Sequence, residues 1–148
     1  MNEVKKIDSP KIWRLQALMS QMPQIPQAEI PTYHYFCGGM YARVLKRPKN
    51  TLIVGKVHKK EHFYIVTKGT VEVASDEGSK IFHSGDVIVS EPGTKRAVLA
   101  LEDSICMTIH FVGQEKNLDQ IEKDLIEEDK TAMFDSKNLP LLETKVIS

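Results

Sequence analysis

The chain has 148 residues, with 20 Lys plus Arg against 20 Asp plus Glu, 41% hydrophobic residues, two cysteines and one tryptophan. That length suits one domain around a single core, and a formal net charge of zero excludes a globally basic protein drawn to long nucleic acid by its total charge. No apolar run approaches the ~20 residues of a membrane helix, no secretory leader pattern follows the first residues, and two cysteines make neither a disulfide framework nor a zinc pattern, so a reducing cytoplasm is the expected setting.

Residues 1–31 read as an arm with one short helix from Ser9 to about Gln21. Ser9 can cap it, Pro10 suits the first helical position, and Ile12, Leu15, Leu18 and Met19 recur at helical spacing beside Trp13. Pro23, Pro26 and Pro31 then enforce an extended connection, so the arm must lie on the main domain or on a neighbouring subunit. Tyr33-His34-Tyr35-Phe36, followed by Cys37-Gly38-Gly39, is an aromatic cluster before the first barrel strand. It is expected to plug the core or a subunit interface, with the two glycines allowing a sharp bend. Cys37 and Cys106 both read as buried small apolar residues.

Residues 32–113 read as a run of short strands: 40–45, 51–57, 63–66, 70–74, 80–82, 87–89, 97–101 and 105–112. They are rich in β-branched and aromatic residues and separated by turn formers such as Pro48-Lys49-Asn50, Asp76-Glu77-Gly78 and Pro92-Gly93. Eight strands at this spacing predict an all-β sandwich or small barrel and leave little room for βαβ units. Residues 114–148 open with an acidic helix, capped by Asn117, in which Leu118, Ile121 and Leu125 share one face. The apolar tail Asn138–Leu142 is expected to dock on some surface.

Neutrality hides two opposite blocks. Residues 43–68 carry eight bases against Glu61, a net +7, and residues 114–129 carry seven acids against two lysines, a net −5. Such blocks serve as an anion-binding face with a separate acidic helix, as two solvated faces, or as surfaces that pair in an oligomer.

The stretch Gly55-Lys56-Val57-His58-Lys59-Lys60-Glu61-His62 through Gly69, followed by Gly85-Asp86 and Pro92-Gly93-Thr94-Lys95-Arg96, resembles the two motifs of the cupin superfamily. The phrases His-Lys-Lys-Glu-His and Pro-Gly-Thr-Lys-Arg-Ala, with the Leu-Asp-Gln-Ile-Glu helix, look like those of bacteriophage-encoded cupin-like proteins. The resemblance implies a single jelly-roll β-barrel with an N-terminal helical arm and a C-terminal α-helix, placed in the host cytoplasm or the virion. The family holds a metal on three histidines and a glutamate. Here the resemblance puts Lys56 at the first histidine, His58 at the second, His62 at the glutamate and Arg96 at the last histidine. An ammonium and a guanidinium cannot ligate a metal, so the standard site is broken and no cofactor is required.

Two chemistries remain for these positions. Lys56 and Arg96 aimed into the barrel, with His58 and His62 as donors and Tyr64 or Phe63 against a ring, suit a small anionic molecule such as a nucleotide, sugar phosphate or carboxylate. Alternatively, His58, His62 and His110 hold a divalent transition metal and support an enzyme. For this, His110 must reach the site from the last strand, expected to pair with residues 97–101 through a turn at Glu102-Asp103. A third use is structural, in a phage assembly. The expectation is a binding protein without catalysis, in a homo-oligomer whose arm or helix covers a neighbour's edge strand.

Overall fold

Short runs rich in β-branched and aromatic residues build nine strands among the described residues, 10–24 and 29–128, of a computed structural model. In chain order they are β1 (Thr32–Cys37), β2 (Met40–Arg47), β3 (Leu52–Val54), β4 (His62–Lys68), β5 (Thr70–Ser75), β6 (Gly78–His83), β7 (Val87–Ser90), β8 (Ala97–Ala100) and β9 (Ser104–Phe111). Two helices flank them, α1 (Pro10–Met19) and α2 (Leu118–Leu125). One antiparallel sheet has the order β1-β2-β9-β4-β7 and the other β3-β8-β5-β6. The two sheets face each other as a jelly-roll barrel.

The aromatic cluster at residues 33–36 forms β1, an edge strand the sequence reading did not foresee, and sends Phe36 into the core beside Tyr41. It joins β2 through Gly38 and Gly39, whose φ angles of 57° and 81° supply the positive values of a tight two-residue hairpin. Alternation in β1 turns His34 and Phe36 toward the barrel and leaves Tyr33, Tyr35 and Cys37 exposed. Cys37 is therefore a surface thiol, contrary to expectation, whereas Cys106 is buried.

Val66, Val71, Val98 and Cys106 form the core between the sheets, with Tyr64, Val73 and Phe82 packed against them. Val66 and Val71 are fully buried, each stabilising the fold by about 1.5–3 kcal/mol relative to exposure. Gly69, at the tight β4–β5 connection, has φ +82° and lies against Ser104.

The expected pairing of β8 with β9 does not occur. Residues 101–103 carry the chain from one sheet to the other: β8 lies between β3 and β5, and β9 lies between β2 and β4. Alternation along a strand names its faces but not its partner, which is why local pattern misassigned this pair.

The helices take different places. In α1, Ile12 and Gln16 are buried near β3, and the Trp13 ring stands 3.9 Å from the Lys95 Nζ. Helix α2, capped by Asn117 accepting from the Gln120 N–H, buries Ile121 and Leu125 against Tyr41, Phe36 and Val112. It thereby closes one end of the barrel. The Ser9 cap and the Asn138–Leu142 tail lie outside the described residues. No described helix is long and apolar enough to cross a membrane.

Candidate functional site

Three histidines, two from the β3–β4 region and one from β9, meet inside the end of the barrel that α2 covers. In β4 the inward positions are His62, Tyr64 and Val66, and in β9 they are Ser104, Cys106, Thr108 and His110. Phe63 pairs with Ile109, so one further step in that register sets His62 opposite His110. His58 enters from the β3–β4 connection, held by its backbone bridge to Ile126 and by its carbonyl, which accepts from the Gly93 N–H at 2.9 Å. The His58 and His62 ring centroids are 4.2 Å apart, those of His62 and His110 also 4.2 Å, and those of His58 and His110 4.9 Å. His58 Nδ1 lies 2.9 Å from His110 Nε2, and the cluster's three ligand atoms fall within 4.8 Å of one another.

Burial and positive neighbours keep these rings neutral. His58 is pushed down to about 2, first by burial and then by His62, His110, Arg43 and Arg96. His110 falls to about 3 through burial, His62 and Arg43. His62 is also lowered, by burial and by Arg96, against an opposing pull from the Lys60 carbonyl. Three unprotonated imidazoles within ligating reach fit a divalent transition metal, and the buried His110 Nδ1 has no hydrogen-bond partner among the described residues.

The other expected positions are distributed unevenly. Arg96 reaches the interior and donates to the Ser90 hydroxyl, beside His62 in the β4–β7 register. Tyr64 is inside, its hydroxyl pushed up to about 12 chiefly by burial. Phe63 points to the opposite face and is 49% exposed, so it cannot stack on a ligand in the barrel. Lys56 stands at the mouth but is engaged by the Glu122 carboxylate of α2. The basic and acidic blocks thus meet within one chain: Lys59 Nζ also donates to the Lys123 carbonyl at 2.8 Å. The acidic helix is not a separate face.

Sequence reasoning missed two cations. Along β2, Tyr41, Arg43, Leu45 and Arg47 alternate onto the inner face, opposite His110, Thr108, Cys106 and Ser104. The Arg43 guanidinium is lowered by burial, partly offset by Tyr41 and Glu122 and lowered further by Arg47. Arg47 is 8% exposed, and its Nε and Nη1 are buried without a hydrogen-bond partner among the described residues. The Tyr64 hydroxyl faces Arg47 and the Cys106 thiol but is likewise without a well-formed hydrogen bond. The Tyr-x-Arg-x-Leu-x-Arg alternation carried this signal.

No family profile matches the chain, and no curated protein matches it. Solved structures do. An uncharacterised conserved protein with a double-stranded β-helix domain from Klebsiella pneumoniae aligns with TM-score 0.52 and 15% identity, over 64% of this chain and 81% of its own. A cupin superfamily protein from Desulfitobacterium hafniense aligns with TM-score 0.51 and 7% identity, over 64% and 87% of the two chains. KdgF from Halomonas sp. aligns with TM-score 0.50 and 19% identity, over 58% and 81%. At such identities the likeness establishes the architecture and nothing finer.

Proposed function

We propose that this chain, whose barrel has the cupin-type double-stranded β-helix architecture, binds a small anionic molecule bearing a phosphate or carboxylate. The ligand's anionic group sits at Arg47 and Tyr64, and the molecule extends along the barrel toward Arg96 and the histidine cluster, six residues away in the β2–β9 register. Arg47 carries the reading. A buried guanidinium normally gains an acceptor for each inward donor, since leaving a buried ion uncompensated costs several kcal/mol. The Nε and Nη1 of Arg47 have none among the described residues, and the Tyr64 hydroxyl beside them is in the same condition. Phosphate and carboxylate oxygens match the spacing of that fork.

A second reading rests on the histidines. His58, His62 and His110 would hold a divalent transition metal as three neutral donors, leaving the ion's positive charge uncancelled. Such an ion would supply a Lewis-acidic contact for an anionic ligand. Arg43 and Arg96, which already depress the histidines, favour the metal only when an anion accompanies it. The binding role stands with or without the metal, and catalysis is not part of it. On the resemblance to phage-encoded proteins, the ligand is met in the host cytoplasm. Detection of the protein as a fixed component of purified virions would favour an assembly role instead.

Thermal unfolding and calorimetry with inorganic phosphate and small dicarboxylates, each against sodium chloride of equal ionic strength, test the reading. A hundredfold excess over Kd stabilises by about 2.7 kcal/mol, a rise of roughly 10 °C in Tm. Arg47→Met abolishes the rise. An unchanged rise in that variant, or none for any anion in the native chain, refutes the proposal. Titration with Co²⁺, read in the visible spectrum and compared with His110→Gln, tests the metal separately.

A further inference from the structure

Helix α2 has eight residues, below the ~12–15 at which an isolated helix holds its shape in water, so its structure depends on the seat it occupies. That seat is small. Ile121 and Leu125 are the helix residues buried there, against Tyr41, Phe36 and Val112. The chain around α2 is hung from the barrel at two points. At the first, the Val112 and Gly113 N–H groups both donate to the Gly39 carbonyl, at 2.7 and 3.1 Å, and Gly113 turns the chain with φ +62°. At the second, the Lys59 N–H donates to the Leu125 carbonyl and the Glu127 N–H to the Val57 carbonyl, on either side of the bridge between His58 and Ile126. Between Gly113 and Leu125, no backbone–backbone hydrogen bond joins this segment to a strand among the described residues.

The second point of attachment is also part of the histidine cluster. Residues 57, 58 and 59 pair with 127, 126 and 125, and His58 is the middle residue of the three. If residues 125–127 leave, the Gly93 N–H on the His58 carbonyl is the backbone tie that remains at His58 among the described residues. The seat of the helix touches the cluster from the other side as well. Tyr41, on which Ile121 and Leu125 pack, stands opposite His110 in the β2–β9 register. Under this cover His62 and His110 are only 6% and 4% exposed, so a solute reaches them from this end only after the cover moves.

We propose that α2 and residues 125–127 form a hinged cap, turning at Gly113, whose docking both closes the barrel over the histidines and holds His58 in place. Opening the cap admits solutes to the cluster and takes the cluster apart in the same step. A segment held by two buried side chains and a few backbone bonds opens at lower cost than the sheets beneath it, as local unfolding units do. By reciprocity, whatever binds the assembled cluster holds the cap shut, by the same factor by which docking improves its binding. The cap needs neither the anion nor a metal, and its test uses neither.

The ligand-free, full-length chain is followed by amide hydrogen exchange. The Lys59, Ile121, Ile126 and Glu127 amides are expected to share one opening equilibrium, more populated than that of the Val66 amide, which is bonded to the Asp86 carbonyl in the core. Diethylpyrocarbonate, which acylates neutral imidazole, reads the same opening from within. The exposed His83 reacts at once, and His62 and His110 react more slowly, while the buried Cys106 stays inert to a thiol reagent that consumes the exposed Cys37. Asn117→Ala removes the exposed cap residue of α2, which accepts from the Gln120 N–H at 3.0 Å. It should speed labelling of His62 and His110 by about fivefold and leave His83 unchanged, and Asn117→Asp should restore the native rate. Labelling of His62 and His110 as fast as His83 in the native chain overturns the inference, because the cluster is then not covered. So does labelling no faster than reaction of Cys106, an unchanged rate in Asn117→Ala, or a Lys59 amide that opens independently of α2.

Discussion

Lys56 and Glu122, 66 residues apart, form a salt bridge that ties the mouth of the barrel to α2. The bridge does not act alone. The Lys59 N–H donates to the Leu125 carbonyl at 2.7 Å, and the Glu127 N–H donates to the Val57 carbonyl at 2.9 Å. Glu122 also lies close enough to Arg43 to favour its charged form. The helix therefore brings its own carboxylate to the cations that an incoming anion would seek.

Glu122→Gln removes that competing charge. Anion affinity measured by calorimetry is expected to rise by up to about tenfold, because a fixed negative charge at the covered end of the barrel no longer repels the ligand. Both partners are partly exposed, so the loss of fold stability in urea should stay below about 1 kcal/mol. Unchanged affinity would show that the ligand does not sense the Glu122 charge.

Arg47→Met separates function from stability. Removing a buried guanidinium that has unmet donors should stabilise the ligand-free fold, by about 1–4 kcal/mol where the thioether packs well, while binding is lost. The urea midpoint is the measurement. A destabilised variant would mean that the fold itself depends on the Arg47 charge.

Acid should weaken the metal-free, chelator-treated protein in a defined direction. His58, His62, His110 and His34 all sit below the ordinary histidine value of 6.5, each chiefly through burial. Below that pH the unfolded chain takes up protons that the folded chain refuses, so stability falls as pH falls. The loss begins near 6.5 and continues toward the folded values of about 3 for His110 and about 2 for His58; above neutrality these groups contribute no slope. The slope of urea stability against pH should flatten in a His58→Gln, His110→Gln double variant.

Gly69→Ala should cost about 3 kcal/mol or more in thermal or urea unfolding. Gly69 has φ +82°, and an added Cβ would meet the Ser104 hydroxyl and come within 2.6 Å of the Asp103 carbonyl. Ser104 cannot give way freely, since its hydroxyl bonds both the Thr70 N–H and the Thr70 carbonyl at 3.1 Å. Gly85→Ala makes the comparison: its φ of +96° also favours glycine, but nothing lies within 4 Å of the added carbon, so its cost should be smaller.

The barrel was legible because short alternating segments between turn formers leave few other architectures. The placement of His58 and His62 in one mouth was legible too, from a spacing that spans a single connection. His110 was named for a pairing that does not exist and arrives through another, because strand partnership is a long-range property that period-2 alternation does not encode. Arg43 and Arg47 were visible in the alternation of β2, yet their membership in a basic block made them resemble surface charge. The closure of the mouth by α2 depends on which blocks meet in space, and composition holds no record of that.

Trp13 is the only tryptophan in the chain, and its ring lies 3.9 Å from the ammonium of Lys95, a side chain only 1% exposed. Every photon of indole emission from this protein thus originates where α1 meets the barrel wall. Detachment of the helix would remove a cation from the face of the indole and admit water in its place, changing both the wavelength and the yield of that emission. The protein carries a native optical gauge of its N-terminal docking, one that needs no label and stands apart from the histidines.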